Sequence, residues 1–198
     1  MPRVACIACL LAFGLAGCGS SSHTAPASSA IRALQREARP IGRGIRFHEP
    51  AGGAMPGHCR RRLGHRIAVH VELFAANRVV LIPAGIGVRG PTRRVDGRIT
   101  HARCYGNLVT LDPTGVIRIR AGSRLTLGDL FSAWGQPLSP SRLAAFSASP
   151  GRSVRSYIGG GRRSGPPQSV PLTRHAEIVL EVGPFVPPHR SFSFPDGA

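Results

Sequence analysis

The chain has 198 residues, 42% of them hydrophobic, a length that suits one globular domain with tethers rather than two cores. Its formal net charge of +17 rests on 26 basic residues, all of them arginine, and the absence of lysine excludes a phosphate-loop lysine and a Schiff-base lysine. The arginines are spread along the chain, Arg60-Arg61-Arg62 being the tightest run, with no aromatic ladder between them, so nucleic acid is not the expected partner.

The first element reads as an export signal. Met1-Pro2-Arg3 is a short positive start, and the apolar run from Val4 to Ala16 is shorter than the roughly 20 residues a membrane-crossing helix needs. Its end, Leu15-Ala16-Gly17-Cys18, resembles the lipobox of bacterial lipoproteins. The resemblance implies that residues 1–17 are a signal peptide removed before Cys18. It also implies that Cys18 carries lipid, palmitate included, and holds the protein to the extracytoplasmic face of a cell membrane. Residues 18–40 read as the lipidated cysteine and a flexible Ser-, Gly-, Ala- and Pro-rich linker, with one short helix over Ile31 to Ala38. The globular domain is expected over residues 41–198, ending in a Pro-rich tail that covers part of the body. A basic domain tethered in this way could be attracted to anionic headgroups by about 1 kcal/mol per arginine near the surface, although an ordinary solvated surface is the expected role of these arginines.

Cys6 and Cys9 leave with the signal and Cys18 takes lipid, so Cys59 and Cys104 remain. Export favours a disulfide between them, worth roughly 4 kcal/mol for a loop of that length. The alternative is a zinc site with His58 beside Cys59 and His101 three residues before Cys104, although the close ligand pairs of a structural zinc site are not evident.

Along the domain, Ile67, Val69, Val71 and Leu73 alternate with Ala68, His70, Glu72 and Phe74, which predicts a strand from about Arg66. Ala75-Ala76-Asn77 turns the chain into a second strand over Arg78 to Ile82. Asn107 to Leu111, the turn Asp112-Pro113-Thr114-Gly115 and Val116 to Arg120 predict a second hairpin, with Ile117 and Ile119 on one face and Val116, Arg118 and Arg120 on the other. Thr126 with Asp129 forms a capping box and Gly135 a stop, around a helix whose Leu127, Leu130, Phe131 and Trp134 make one apolar stripe. Val154 to Ile158 and Ile178 to Val182 supply the last strands. These elements define an α+β fold in which one helix packs on a mixed or mainly antiparallel sheet, β-grasp-like arrangements included.

Gly85-Ile86-Gly87-Val88-Arg89-Gly90 matches the dinucleotide-binding spacing, but Pro91 and Thr92-Arg93-Arg94 follow where a helix would have to open, so the glycines read as a loop. No nucleophile elbow and no H-E-x-x-H motif is present. Glu72 and Glu177 are the carboxylates that could form a hydrolase pair if they share a pocket. His65, His70, His101 and His175 fall in the domain. His70 shares a face with Glu72, and His175 stands just before Glu177, so two His/carboxylate groupings can meet across the sheet.

Several stretches resemble an uncharacterised family of exported or membrane-anchored prokaryotic proteins. They are His70-Val71-Glu72-Leu73-Phe74, Ile82-Pro83-Ala84-Gly85-Ile86-Gly87, Gly115-Val116-Ile117, Thr126 to Phe131 with Trp134-Gly135, and Leu172 to Glu181. The resemblance implies a metal-binding histidine cluster of which only His70 and His175 carry over. Ala68, Val109, Leu111 and Arg118 stand where relatives carry histidine, which argues that an ancestral site is lost.

The expected function is a lipid-anchored envelope protein with no cofactor and no enzymatic activity, binding a protein, glycan or lipid partner outside the cytoplasm. The alternative is a copper- or zinc-binding lipoprotein that uses His70 and His175. A hydrolase built on Glu72 and Glu177 is the third reading.

Overall fold

The computed structural model describes residues 50 and 53–194. The expected signal peptide, Cys18, the linker and the short helix at 31–38 lie outside those residues.

β1 (Arg66–Ala75) is the strand the alternation predicts: Val69, Val71 and Leu73 are buried on one face, Ala68 and His70 on the other. Ala76 and Asn77 both take positive φ (52° and 61°), a two-residue turn whose twist suits a hairpin. The returning strand β2 (Arg78–Val79) is shorter than expected. It pairs only Val79 with Phe74 and Arg78 with Ala75, after which Val80 and Ile82 dive into the core.

β3 (Val88–Val95) and β4 (Arg98–Tyr105) form a two-stranded sheet of their own where a loop is expected. Pro91 masks the first strand in the sequence, yet it falls where the register shifts between Arg89 and Thr92, a place that needs no ladder N–H. The signal that could have found this hairpin is Asp96-Gly97, whose φ angles of 47° and 82° make its two-residue turn. The glycine run before β3 has a packing reason. Gly87 has φ +67°, and a Cβ there would sit 1.8 Å from the Leu108 carbonyl oxygen.

β5 (Leu108–Thr110) and β6 (Val116–Arg120) pair in the expected hairpin, Leu108 opposite Ile119 and Thr110 opposite Ile117. The helix α1 (Leu127–Trp134) is also as expected. The Thr126 N–H donates to Asp129 Oδ2 at 2.8 Å, and Gly135 closes the helix at φ 75°. Three two-residue strands follow, β7 (Leu138–Ser139), β8 (Arg142–Leu143) and β9 (Phe146–Ser147), which carry buried Leu143 and Ala144 into the core. They are too short to leave a period in the sequence. β10 (Arg155–Ile158), β11 (Gly161–Arg163) and β12 (Glu177–Val182) complete the sheet.

The main sheet runs β11-β10-β12-β1-β6-β5, with β2 on the end of β1. β12 lies parallel to β1 and the other neighbours are antiparallel. At the centre of this sheet β1 and β6 precede the helix, the β10–β11 hairpin follows it and β12 returns parallel to β1, a β-grasp-like arrangement within the α+β class. One face packs Val69, Val71, Leu73, Ile117, Ile119, Ile178 and Leu180 against Leu127, Leu130, Phe131 and Trp134. The other face is crossed by the Pro-rich tail, whose Phe192 and Phe194 lie on Ala68 and Val116. Cys59 and Cys104 are joined, their Cα atoms 5.4 Å apart, so the pair is a disulfide and not two zinc ligands. Among the described residues no helix is long and apolar enough to cross a membrane.

Replacing Gly87 with alanine should lower stability by about 3 kcal/mol, combining positive-φ strain with a backbone clash. Urea unfolding of the variant checks this, and an unchanged midpoint would contradict the close approach.

Candidate metal centre

The parallel register of β1 and β12 sets His70 opposite Glu177. Period-two alternation turns both side chains, with Glu72, onto the face under the tail. His70 Nδ1 lies 2.7 Å from Glu177 Oε2, both side chains buried. The other ring nitrogen, Nε2, is 3.0 Å from the Thr114 carbonyl oxygen. A carbonyl only accepts, so Nε2 carries the hydrogen and donates it. The remaining proton is then shared between Nδ1 and the Glu177 carboxylate. Gly115 makes room for this contact: it has φ +79°, and a Cβ there would press 2.9 Å from His70 Nε2.

Glu72 joins the group, and one ligand atom from each of His70, Glu72 and Glu177 lies within 4.8 Å of the others. From the tail, His189 Nδ1 reaches Glu72 Oε2 at 2.7 Å. Phe192 stacks on the His70 ring with centroids 3.7 Å apart. A cavity of about 320 Å³ opens beside the cluster, lined by His70, Glu72, Val80, Thr114 and His189 among others.

The buried charges nearby show how this fold normally treats such groups. Arg66 Nη2 donates to Gly106 O at 2.7 Å, and its other nitrogens donate to the carbonyls of Leu63, Asn107 and Arg118. Burial, and then Arg120 and Arg118, pull its pKa down to about 10, still charged at neutral pH. Glu181, fully buried, has both oxygens engaged: Oε1 by Arg155 Nε at 2.6 Å and the Tyr157 hydroxyl at 2.7 Å, Oε2 by the Val186 N–H at 2.9 Å. Burial and that hydrogen bond push the Tyr157 phenol up. Glu177 differs from Glu181. Its Oε1 is buried with no hydrogen-bond partner among the described residues, an arrangement that costs about 1 to 3 kcal/mol when nothing fills the gap.

The donor set suits a divalent metal. Zinc bonds nitrogen and carboxylate oxygen at about 2.0 to 2.2 Å, and a ligating histidine usually donates its other N–H to a carbonyl or carboxylate. His70 already holds that pose through Thr114. A cation between Nδ1 and Glu177 would take the place of the shared proton.

Of the expected residues, the structure brings His70, Glu72 and Glu177 together and leaves His175 apart from them. His175 precedes β12 at φ 56°, its N–H donates to the Ala68 carbonyl, and its ring stacks on Phe194 with centroids 4.7 Å apart. His65 and His101 are exposed, His101 opposite Arg93 in the β3–β4 hairpin. The sequence reading missed His189, which sits in the tail and carries no spacing signal. Glu72 and Glu177 do share one face. Glu177, however, is only 3% exposed and tied to His70.

Compared with family models, with curated proteins and with solved structures, the chain finds no match.

Replacing His70 with alanine should cost about 3 kcal/mol, because it strands Glu177 as an uncompensated buried carboxylate. Exchanging both residues for leucine should recover most of that loss in chemical denaturation. Additive losses from the two single changes would contradict a paired site.

Proposed function

We propose that this protein is a lipid-anchored, extracytoplasmic, non-enzymatic binding domain whose ligand is one divalent transition metal ion, zinc or copper(II). His70 Nδ1, Glu177 and Glu72 hold the ion, and His189 closes the set from the tail. The observation that carries this reading is the buried Glu177 oxygen with no partner, beside a cluster of ligand atoms and in contrast to the fully engaged Glu181. Two imidazoles and two carboxylates are a borderline donor set that favours zinc or copper over calcium or magnesium. Burial of Glu177 and the Phe192 stack on His70 favour retention of an ion over turnover of a substrate. Anchoring rests on Leu15-Ala16-Gly17-Cys18 and the linker that follows, and places the domain where envelope proteins, glycans and lipid are its neighbours. The resemblance to exported prokaryotic proteins argues that their histidine cluster is lost here, so the reading rests on Glu72, Glu177 and His189 beside His70 and not on that resemblance.

Titration of metal-free protein with zinc, followed by calorimetry, should give one site per chain with release of protons, seen as a heat that changes with the buffer. A double variant, His70→Ala with Glu177→Gln, should lose the site, whereas His175→Ala should keep it. Equal binding by wild type and double variant, or none by wild type, would reject the metal reading. Anchoring has its own check: Cys18→Ser should move the protein out of the membrane fraction of an expressing bacterium. Unchanged retention would argue against the lipid.

A further inference from the structure

The metal cluster does not account for the β3–β4 hairpin on the far side of β5. That hairpin joins the body through Val88, Ile99, Ala102 and Tyr105, packed on Val109 and Leu111. Its other face and its tip are exposed. The segment before β1 adds to it: Arg60 exchanges both backbone hydrogen bonds with Tyr105, at 2.9 and 2.8 Å, and the Cys59–Cys104 disulfide clamps the two together. The clamp sets Arg60 to Arg62 at the Arg103-Cys104-Tyr105 end of β4, and Arg93 and Arg94, opposite His101 and Ile99, carry the basic character on along the hairpin. All six are exposed. From Val88 to Tyr105 the sequence contains a single carboxylate, Asp96.

A second, independent feature sits at the tip. Val95, next to the Asp96-Gly97 turn, is 55% exposed, one of only two large apolar side chains exposed among the described residues. An isolated apolar side chain on a surface is ordinary. One that projects from the end of a rigid arginine-bearing hairpin matches the chemistry of a bilayer interface, with cations for the phosphates and an apolar tip for the acyl boundary.

We infer that the β3–β4 hairpin, with Arg60 to Arg62 clamped to it, docks the domain on the anionic phospholipid headgroups of the membrane that carries its anchor. Docking rests on the anchoring reading for its location and is independent of the metal. The lipid holds the domain near the bilayer, and the hairpin decides which side faces it. The disulfide and the two Arg60–Tyr105 backbone hydrogen bonds together hold the arginine-bearing segment to the hairpin.

The test uses the full, lipid-modified protein reconstituted in vesicles, either neutral phosphatidylcholine or a mixture rich in phosphatidylglycerol. A Val95→Trp indole, read against the unsubstituted protein to remove buried Trp134, reports on the tip. On phosphatidylglycerol vesicles it should be quenched by brominated lipid. It should not be quenched on neutral vesicles, and raising the salt should release it, since exposed charges are screened within about 8 Å at physiological ionic strength. Reversing Arg93, Arg94 and Arg103 to glutamate should weaken docking about 100-fold or more. The salt arm needs no arginine variant and stands even if that variant misfolds. Quenching that is equal on both vesicles, or absent from both, overturns the proposal. So does an indole that ignores phosphatidylglycerol but responds to a free oligonucleotide, which would assign the surface to soluble polyanions. Failure of the protein to float with neutral vesicles is a different result, and counts against the anchor instead.

Discussion

The pairing of the first and last strands of the sheet, β1 with β12, is the constraint on which everything else depends. It is parallel and central, so it cannot form until the chain between residues 75 and 177 has folded back. Its register, His70 opposite Glu177 and Leu73 opposite Leu180, sets both faces at once. On one side it aligns Val69, Val71 and Leu73 with Ile178 and Leu180 as a floor for the helix. On the other it brings an imidazole and a carboxylate to hydrogen-bonding distance. A slip of one residue would exchange these faces, putting His70 and Glu177 into an apolar core and the aliphatics under the tail.

The two faces divide the labour. The helix face is apolar and well filled, with Phe131 and Trp134 almost fully buried, and supplies most of the hydrophobic drive. The tail face is a row of buried charges roofed by the Pro-rich strip, held by Val186 on Glu181, His189 on Glu72 and Phe192 on His70. Buried charge is tolerated where each polar atom has a partner. That is true of Arg66 and Glu181, and it is why the half-satisfied Glu177 stands out as a place for a ligand. The tail covers His70 with Phe192 and brings His189 to Glu72 at the edge of the cavity.

Much of the fold could be read from local pattern. The alternation in β1 and β6, the capping box at Thr126 and Asp129, and the Asp112-Pro113-Thr114-Gly115 turn are all short-range signals, and each led to the element that forms. The misses have equally local causes. The sequence around Pro91 speaks only to whether a helix opens there and not to the strand that accommodates the proline at a register shift, the turn glycines at 159–161 hid the start of β11, and β7 to β9 are too short to show a period. In the site, His70 and Glu72 were legible as neighbours on one strand face. The identity of their partners was not, because His175 and His189 are equivalent as isolated histidines in a sequence, and backbone conformation alone sends one to Phe194 and the other to Glu72.

The linear chain by itself determined β1, the β5–β6 hairpin, the helix and the last strand, the face their side chains take, the two cysteines left to pair and the arginine-only basic character. These follow from near-neighbour sterics, alternation and composition. Tertiary structure alone decided that β12 returns parallel beside β1, that His70 meets Glu177 across 107 positions of sequence, and that a tail histidine joins them. Such contacts are set by the joint packing of the helix, the sheet and the tail. No window of the sequence contains the groups that decide them.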